Sequence, residues 1–349
     1  MKNLPFGLDI GSSTIKAVWL DKGKDGYILK AAATVETPEK GMLSESPFDQ
    51  EEISQTIKNL VHEAKIDSPL VSVALPENQV YTRVIEMPTL SDKELSSAIY
   101  WEAEQYIPVP LPTLTLDWKV LTRPKNPQEG VTMTVLLVGA PTQLLDKYDK
   151  ILSQASLRVV SAETEILSVV RALTFVGKKS SVLFPNTVIV HIGSISTSLA
   201  ILKENSIVFT YTIPTGGTAI SRAISTDFGF SSTQAEEYKK TYGVTKESLE
   251  GKIGQATAPV LSSIVSEIKK AVAFYTNKYK NAVPVAQILL SGGSAKLPGI
   301  SGFFAENAGI ETVIANPWHV LASQDMPKEL LDNAPEYTIG IGLSMRVYE

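Results

Sequence analysis

The chain has no cysteine. A disulfide framework, thiolate catalysis and a cysteine-ligated metal site are therefore excluded. Histidine is scarce as well: His62, His191 and His319 do not cluster in sequence, which argues against a histidine-rich metal centre. No run of about 18 apolar residues, the length that spans a bilayer, occurs. The longest apolar stretch, Met133–Ala140, is strand-sized. No apolar segment of signal-peptide length precedes Asp9, so no secretory signal is expected. Basic excess is missing too: 32 Lys and Arg face 37 Asp and Glu, for a net charge of −5. That is the opposite of a nucleic-acid footprint, so no nucleic-acid partner is expected. The expectation is a soluble, cytoplasmic protein. Its 349 residues, 44% of them apolar, exceed what one hydrophobic core usually organises, which points to two domains.

What the chain does have is a duplicated feature. Phe6–Leu20 (FGLDIGSSTIKAVWL) and Val188–Leu202 (VIVHIGSISTSLAIL) both read as strand, small-residue turn, strand. Asp9 and His191 occupy matching places, 182 residues apart, about half the chain. Small turn residues let consecutive N–H groups converge into an anion-binding concavity. Two such hairpins, one per half, could close on a phosphate from opposite sides.

Around the first hairpin the pattern predicts a strand over Tyr27–Val35, a helix opened at Asp49 with Glu52 in a capping box, and a buried strand at Leu70–Leu75. The helix carries Ile53, Ile57, Leu60, Val61 and Ala64 at helical spacing. Gln79–Ala155 has a different texture and reads as an α+β insert. It contains a strand at Gln79–Met87, and a helix capped by Ser91-x-x-Glu94 and stopped at Ile107 by Pro108, Pro110 and Pro112. Strands at Leu114–Thr122 and Val131–Gly139 and a helix around Gln143–Ala155 follow. Leu157–Ala162 and a helix over Ile166–Val176 complete the first half. After the second hairpin come a strand at Ile207–Ile213, helices around Gly217–Phe228, Thr233–Thr241 and Ala258–Lys280, and a strand at Ala286–Leu290.

Several residues could carry chemistry. In Asp9-Ile-Gly-Ser-Ser-Thr-Ile-Lys16 a lysine on the returning strand can neutralise phosphate charge. An aspartate at the strand end can hold Mg²⁺, usually through water. An ordinary hairpin with a surface lysine fits that loop equally well. Ser291-Gly-Gly-Ser-Ala-Lys follows an apolar strand, and its paired glycines allow close approach to a flat ligand. Glu236 and Lys239 sit one helical turn apart, placed either for a ribose or purine or as a plain solvated ion pair.

Taken in order, hairpin, helix-rich insert, matching hairpin, Gly-Gly, Glu-x-x-Lys and strand-Gly-Gly resemble the actin-like ATPase superfamily, and the resemblance covers the whole chain. It implies an α/β, actin-like (ribonuclease H-like) two-domain fold with duplicated β-sheet halves that binds ATP or ADP with Mg²⁺. By it, Asp9, Gly11, Ser12, Ser13, Thr14 and Lys16 match the first phosphate loop, and Gly193, Ser194, Ser196 and Thr197 the second. Gly216, Gly217, Glu236 and Lys239 match the ribose side, Gly292, Gly293 and Ser294 the adenosine loop, and Asp9 the metal position. The resemblance divides the chain into a first half (1–78, completed by 156–186 and a C-terminal helix over 336–349), an inserted subdomain (79–155), a second half (187–220 with 283–335) and its helical subdomain (221–282).

The insert's position resembles the cell-division protein FtsA and its relative PilM. The stretches Ser72–Glu86, Met87-Pro88, Glu94-Leu95, Ile99–Pro108 and Leu116-Asp117 resemble the PilM family of type IV pilus assembly. This implies a cytoplasmic adaptor of type IV pilus assembly, or of a related secretion (pseudopilus) system, docking the N-terminal cytoplasmic peptide of a PilN-like inner-membrane protein, with self-association open to it. The membrane is then reached only through the partner. The resemblance sets Tyr106, Ile107 and Pro108, at the end of the insert helix, as neighbours of the peptide groove. An FtsA-like division protein and a sugar or acetate kinase of the same superfold are the alternatives. The FtsA reading is disfavoured because the chain stops at Arg346-Val-Tyr-Glu349 without an amphipathic membrane helix. Against the family pattern, His191 stands where the second loop usually begins with Asp. A neutral imidazole supplies no fixed negative charge, so nucleotide is expected to be hydrolysed slowly or not at all.

Overall fold

The computed structural model describes residues 4–124, 131–175, 186–245, 251–280, 282–323 and 325–349. β1 (Phe6–Ile10) and β2 (Thr14–Lys22) form the first hairpin, and β3 (Tyr27–Glu36) extends it. Every β1 residue is buried, as suits a central strand covered on both faces. α1 (Pro47–Glu63) leads to β4 (Leu70–Leu75), which pairs parallel with β1. The helix opens before the expected Asp49. Pro47, with its preset φ and no N–H to satisfy, takes the first position after Ser46. Asp49 accepts from the Ser44 hydroxyl in the first turn, and no capping box forms.

The insert begins after a 3-10 turn at Glu77–Gln79, so its first strand, β5 (Tyr81–Pro88), starts two residues later than expected. α2 (Asp92–Tyr106) has the full Ser91–Glu94 capping box and stops before Pro108. β6 (Leu114–Thr122) and β7 (Thr132–Pro141) complete an antiparallel sheet in the order β5-β7-β6. α3 (Thr142–Gln154), expected to belong to the insert, packs instead on α1. Its Leu144, Tyr148, Ile151 and Leu152 share one core with Ile53, Ile57 and Leu60. β8 (Arg158–Thr164) then joins β4 in parallel, giving the sheet β3-β2-β1-β4-β8. α4 (Glu165–Thr174) ends before the expected Val176, which lies outside the described residues.

The second half repeats this plan. β9 (Thr187–Ile192), β10 (Thr197–Lys203) and β11 (Ser206–Ile213) form an antiparallel meander. α5 (Gly217–Phe228), α6 (Ser232–Tyr242) and α7 (Lys252–Lys278) precede β12 (Gln287–Ser291). α8 (Ile300–Ala308) and β13 (Glu311–Ile314) close the sheet β11-β10-β9-β12-β13, the same order as the first. α7 begins well before the expected Ala258, because Ile253 extends its buried stripe onto Ile224 and Ala235.

α9 (Lys328–Asp332) leads into α10 (Thr338–Met345), shorter than the expected 336–349 and buried along its whole length. α10 lies on β1, β2 and α4. Glycine is required there: a Cβ at Gly342 would meet the Ser168 carbonyl at 1.9 Å. A shared core of Ile166, Val169, Ile189, Leu289 and Leu343 joins the two halves. Among the described residues no helix is long and apolar enough to cross a membrane.

Candidate functional site

The two hairpin turns meet. Asp9 and Lys16 are direct partners in the β1–β2 register, and both side chains are buried. The turn between them closes with the Gly11 N–H donating to the Thr14 carbonyl at 3.1 Å. The Thr37 hydroxyl donates to the Gly11 carbonyl at 2.7 Å from the end of β3. The Lys16 ammonium donates to the Thr14 hydroxyl. Ser12 and Ser13 stay exposed at the tip, and the Ser13 hydroxyl donates to that of Ser194 at 2.9 Å. That hydrogen bond crosses from one half of the molecule to the other.

The second turn is built alike, with the Gly193 N–H donating to the Ser196 carbonyl at 3.0 Å. It is also bound to α5. The Gly217 and Thr218 N–H groups donate to the Gly193 and Ser194 carbonyls, both at 2.8 Å, which satisfies two of the orphan donors of that helix start. Ser194 and Thr218 hydroxyls lie 3.0 Å apart. Gly216 has no room for a side chain, since a Cβ there would meet the Gly193 carbonyl at 2.6 Å. Thr197 is buried and donates to the Thr215 carbonyl at 2.7 Å, so its hydroxyl braces the turn.

The remaining residues gather around Gly217. Lys239, buried, donates to the Gly217 carbonyl at 3.1 Å and pairs with Glu236 at 2.6 Å. Glu236 also accepts from the Ser221 hydroxyl at 2.6 Å, so it is not the solvated ion pair that spacing alone allowed. A Cβ on Gly217 would meet the Ser294 hydroxyl at 2.6 Å and the Lys239 ammonium at 3.3 Å, which places the strand-Gly-Gly loop beside the Glu236–Lys239 pair. Gly292 has a left-handed φ of 88° and lies against the Ile192 carbonyl, a position that demands glycine. Gly293 is exposed at the same turn.

His191 is buried in the β9–β12 layer. Its Nδ1 lies 3.2 Å from the Ser291 hydroxyl, which donates to the Thr338 hydroxyl at 2.8 Å. Thr338 in turn donates to the Pro335 carbonyl at 2.9 Å. Burial, and secondarily the Lys16 charge, depress the imidazole pKa to about 4, so the ring is neutral at physiological pH.

Sequence reading missed two carboxylates and the hydroxyl relay behind His191. Glu165, the first residue of α4, is pushed up to about 8 by burial and by the Asp9 and Glu77 charges. Glu77 is buried in the 3-10 turn after β4 and accepts the Ile166 N–H at 3.2 Å, capping α4. Asp9 is raised too, because burial outweighs the Lys16 attraction. The only signal for Glu165 was its place, where a parallel strand ends and a helix begins. Ser291 and Thr338 are separated by 47 residues and meet only through packing.

A family model described as type IV pilus assembly protein PilM matches residues 7–348. The chain belongs to the PilM family. The solved PilM-PilN type IV pilus biogenesis complex is similar to it at a TM-score of 0.86 and 28% identity, covering 99% of this chain and 98% of that one. FtsA of Streptococcus pneumoniae is 24% identical over 351 residues, 89% of this chain and 75% of its own length. MreB5 of Spiroplasma citri, solved with AMPPNP, shares the actin-like fold at a TM-score of 0.54 and 13% identity, covering 100% of this chain and 96% of its own. The two sheets of identical order are that fold's duplicated halves. The PilM-type insert lies within the first half, between β4 and β8.

Proposed function

We propose that this PilM-family chain binds ATP or ADP with Mg²⁺ between its halves, hydrolyses it slowly or not at all, and docks the N-terminal cytoplasmic peptide of a PilN-like membrane protein. The protein then works at the inner face of the inner membrane through that partner. One observation carries the nucleotide reading: the turns of the two hairpins touch through Ser13 and Ser194, and the backbone at Gly216 and Gly217 packs against the second turn and the Ser294 hydroxyl with no room for a side chain. On this reading the Gly11–Lys16 and Gly193–Ser196 turns face the phosphates, Glu236 and Lys239 the ribose, and Gly292–Ser294 the adenine.

Among the described residues no cluster of three His, Asp or Glu side chains could hold a metal alone. Mg²⁺ brought in by a nucleotide keeps most of its waters and needs only one or two carboxylates besides the phosphate oxygens. Asp9 is the residue for that role, and the metal would supply charge neutralisation for the phosphates. The partner reading is supported by family membership and by the solved PilM-PilN complex. Weak hydrolysis follows from His191, a neutral ring where a fixed carboxylate would orient Mg²⁺ and water.

The test is a titration of the full chain with a PilN N-terminal peptide, with and without Mg-ATP. Saturable peptide binding supports the adaptor. A phosphorylated sugar or acid product in the absence of peptide binding would replace it with a kinase.

A further inference from the structure

The insert is layered, and α2 is its outermost layer. Leu95, Ile99 and Ala103 of α2 pack on Ile85, Met87, Met133, Val135 and Leu137 of the insert sheet. The opposite face of that sheet sends Val84 and Leu121 into the core shared by the two halves. Among the described residues nothing covers the other side of α2, where Tyr100, Trp101 and Glu104 are exposed.

That free side is not an ordinary helix surface. Tyr100 is 52% and Trp101 74% exposed, next to each other, whereas Trp318 is fully buried. Glu104 follows Trp101 by three residues and Tyr100 by four, so its carboxylate stands one turn along the same face. The carboxylates at the start of α2 are committed. Asp92 pairs with Arg123 at 2.5 Å, and Glu94 closes the capping box. Among the described residues neither Glu102 nor Glu104 has an ion-pair partner, and the helix has no Lys or Arg after Lys93. The second half of α2 is therefore aromatic and acidic.

Its chemistry selects the occupant. An acidic face repels anionic lipid, nucleic acid and the same face of a second copy. An indole with a carboxylate one turn away suits a guanidinium, which stacks on the ring and donates paired N–H groups to the carboxylate. An ammonium, compact and strongly hydrated, does this less well.

We infer that the outer face of α2 is a docking site for an arginine-bearing segment of a partner protein, with Trp101 and Tyr100 as the stacking surface and Glu104 as the acceptor. The inference concerns α2 side chains upstream of Tyr106, the residue read beside the PilN-type groove, and its probe carries no PilN sequence, so its failure leaves the proposed function standing. Its probe is a blocked alanine-based peptide carrying two arginines, titrated into the full chain by calorimetry beside its two-lysine counterpart. Saturable binding with a Kd below about 1 mM is expected, several-fold tighter for arginine than for lysine. Trp101→Ala and Glu104→Gln should each weaken it about fivefold, as for an exposed cation–π contact or ion pair. Because both residues face solvent, melting temperatures should not change. Glu52→Gln, an exposed carboxylate on α1, is the control and should leave affinity unchanged. No saturation below about 1 mM, equal affinity for the two peptides, or equal affinity in wild type and both α2 variants would each overturn the inference.

Discussion

Replacing His191 with asparagine tests how this buried site is held. In the folded protein the imidazole pKa lies at about 4, below its ordinary 6.5. A depressed base contributes stability that is present above the unfolded pKa and lost as pH falls, because the unfolded chain takes the proton first. The full loss between pH 6.5 and 4 amounts to about 3 kcal/mol, with about 2 kcal/mol already gone at pH 5. Glu165 and Asp9 run the other way. Their raised pKa values give stability at low pH that is lost as pH rises, for Glu165 up to about 8. Asparagine removes the imidazole titration and keeps an amide for Ser291, and the carboxylate contributions, common to both proteins, cancel in the difference. Urea unfolding of wild type and variant at pH 7.5 and pH 5, at equal m values, isolates the histidine contribution. The stability advantage of wild type over His191→Asn should shrink by about 2 kcal/mol at the lower pH. A difference that stays constant across the two pH values would refute the buried, neutral imidazole.

Lys16→Ala should weaken nucleotide binding at least about tenfold while leaving PilN-type peptide affinity intact, read by parallel titrations; equal loss of both in a folded protein would remove the separate-sites reading. His191→Asp should raise ATP turnover in a phosphate-release assay, and wild-type rates already within about 1–10³ s⁻¹ would contradict the slow-hydrolysis proposal. Phe304→Ala should cost about 3–5 kcal/mol in chemical unfolding, because the ring is fully buried in the second core and leaves a cavity there. Ser91→Ala should cost about 1 kcal/mol by opening the α2 capping box, measured the same way.

Much of the fold was legible where the period was long or the punctuation strong. Leu70–Leu75, Leu114–Thr122 and Gly217–Phe228 occupy the spans read from sequence, because apolar runs there end at Pro, Gly or charge. α3 was misassigned because its apolar stripe shows that it packs but not on what. β13 was missed because four residues carry too little periodicity. At the site, the glycines and Lys16 stood out through their turns. Glu165 and Glu77 did not, since single carboxylates at element ends look like solvated charges until burial is known.

The sequence by itself determined the duplication: two strand-turn-strand units half a chain apart, with unlike residues at Asp9 and His191. Local rules of turn and strand write that pattern directly into residue types. Only the tertiary structure decided that the two turns touch through Ser13 and Ser194, that Lys239 is locked onto Gly217 and Glu236, and that His191 rests on a hydroxyl from β12 backed by one from α10. Those contacts join residues up to 181 positions apart, and no local periodicity encodes them. They arise from the parallel pairing of β12 with β9, the capping of α5 by the second turn, and the burial of α10 against the first sheet.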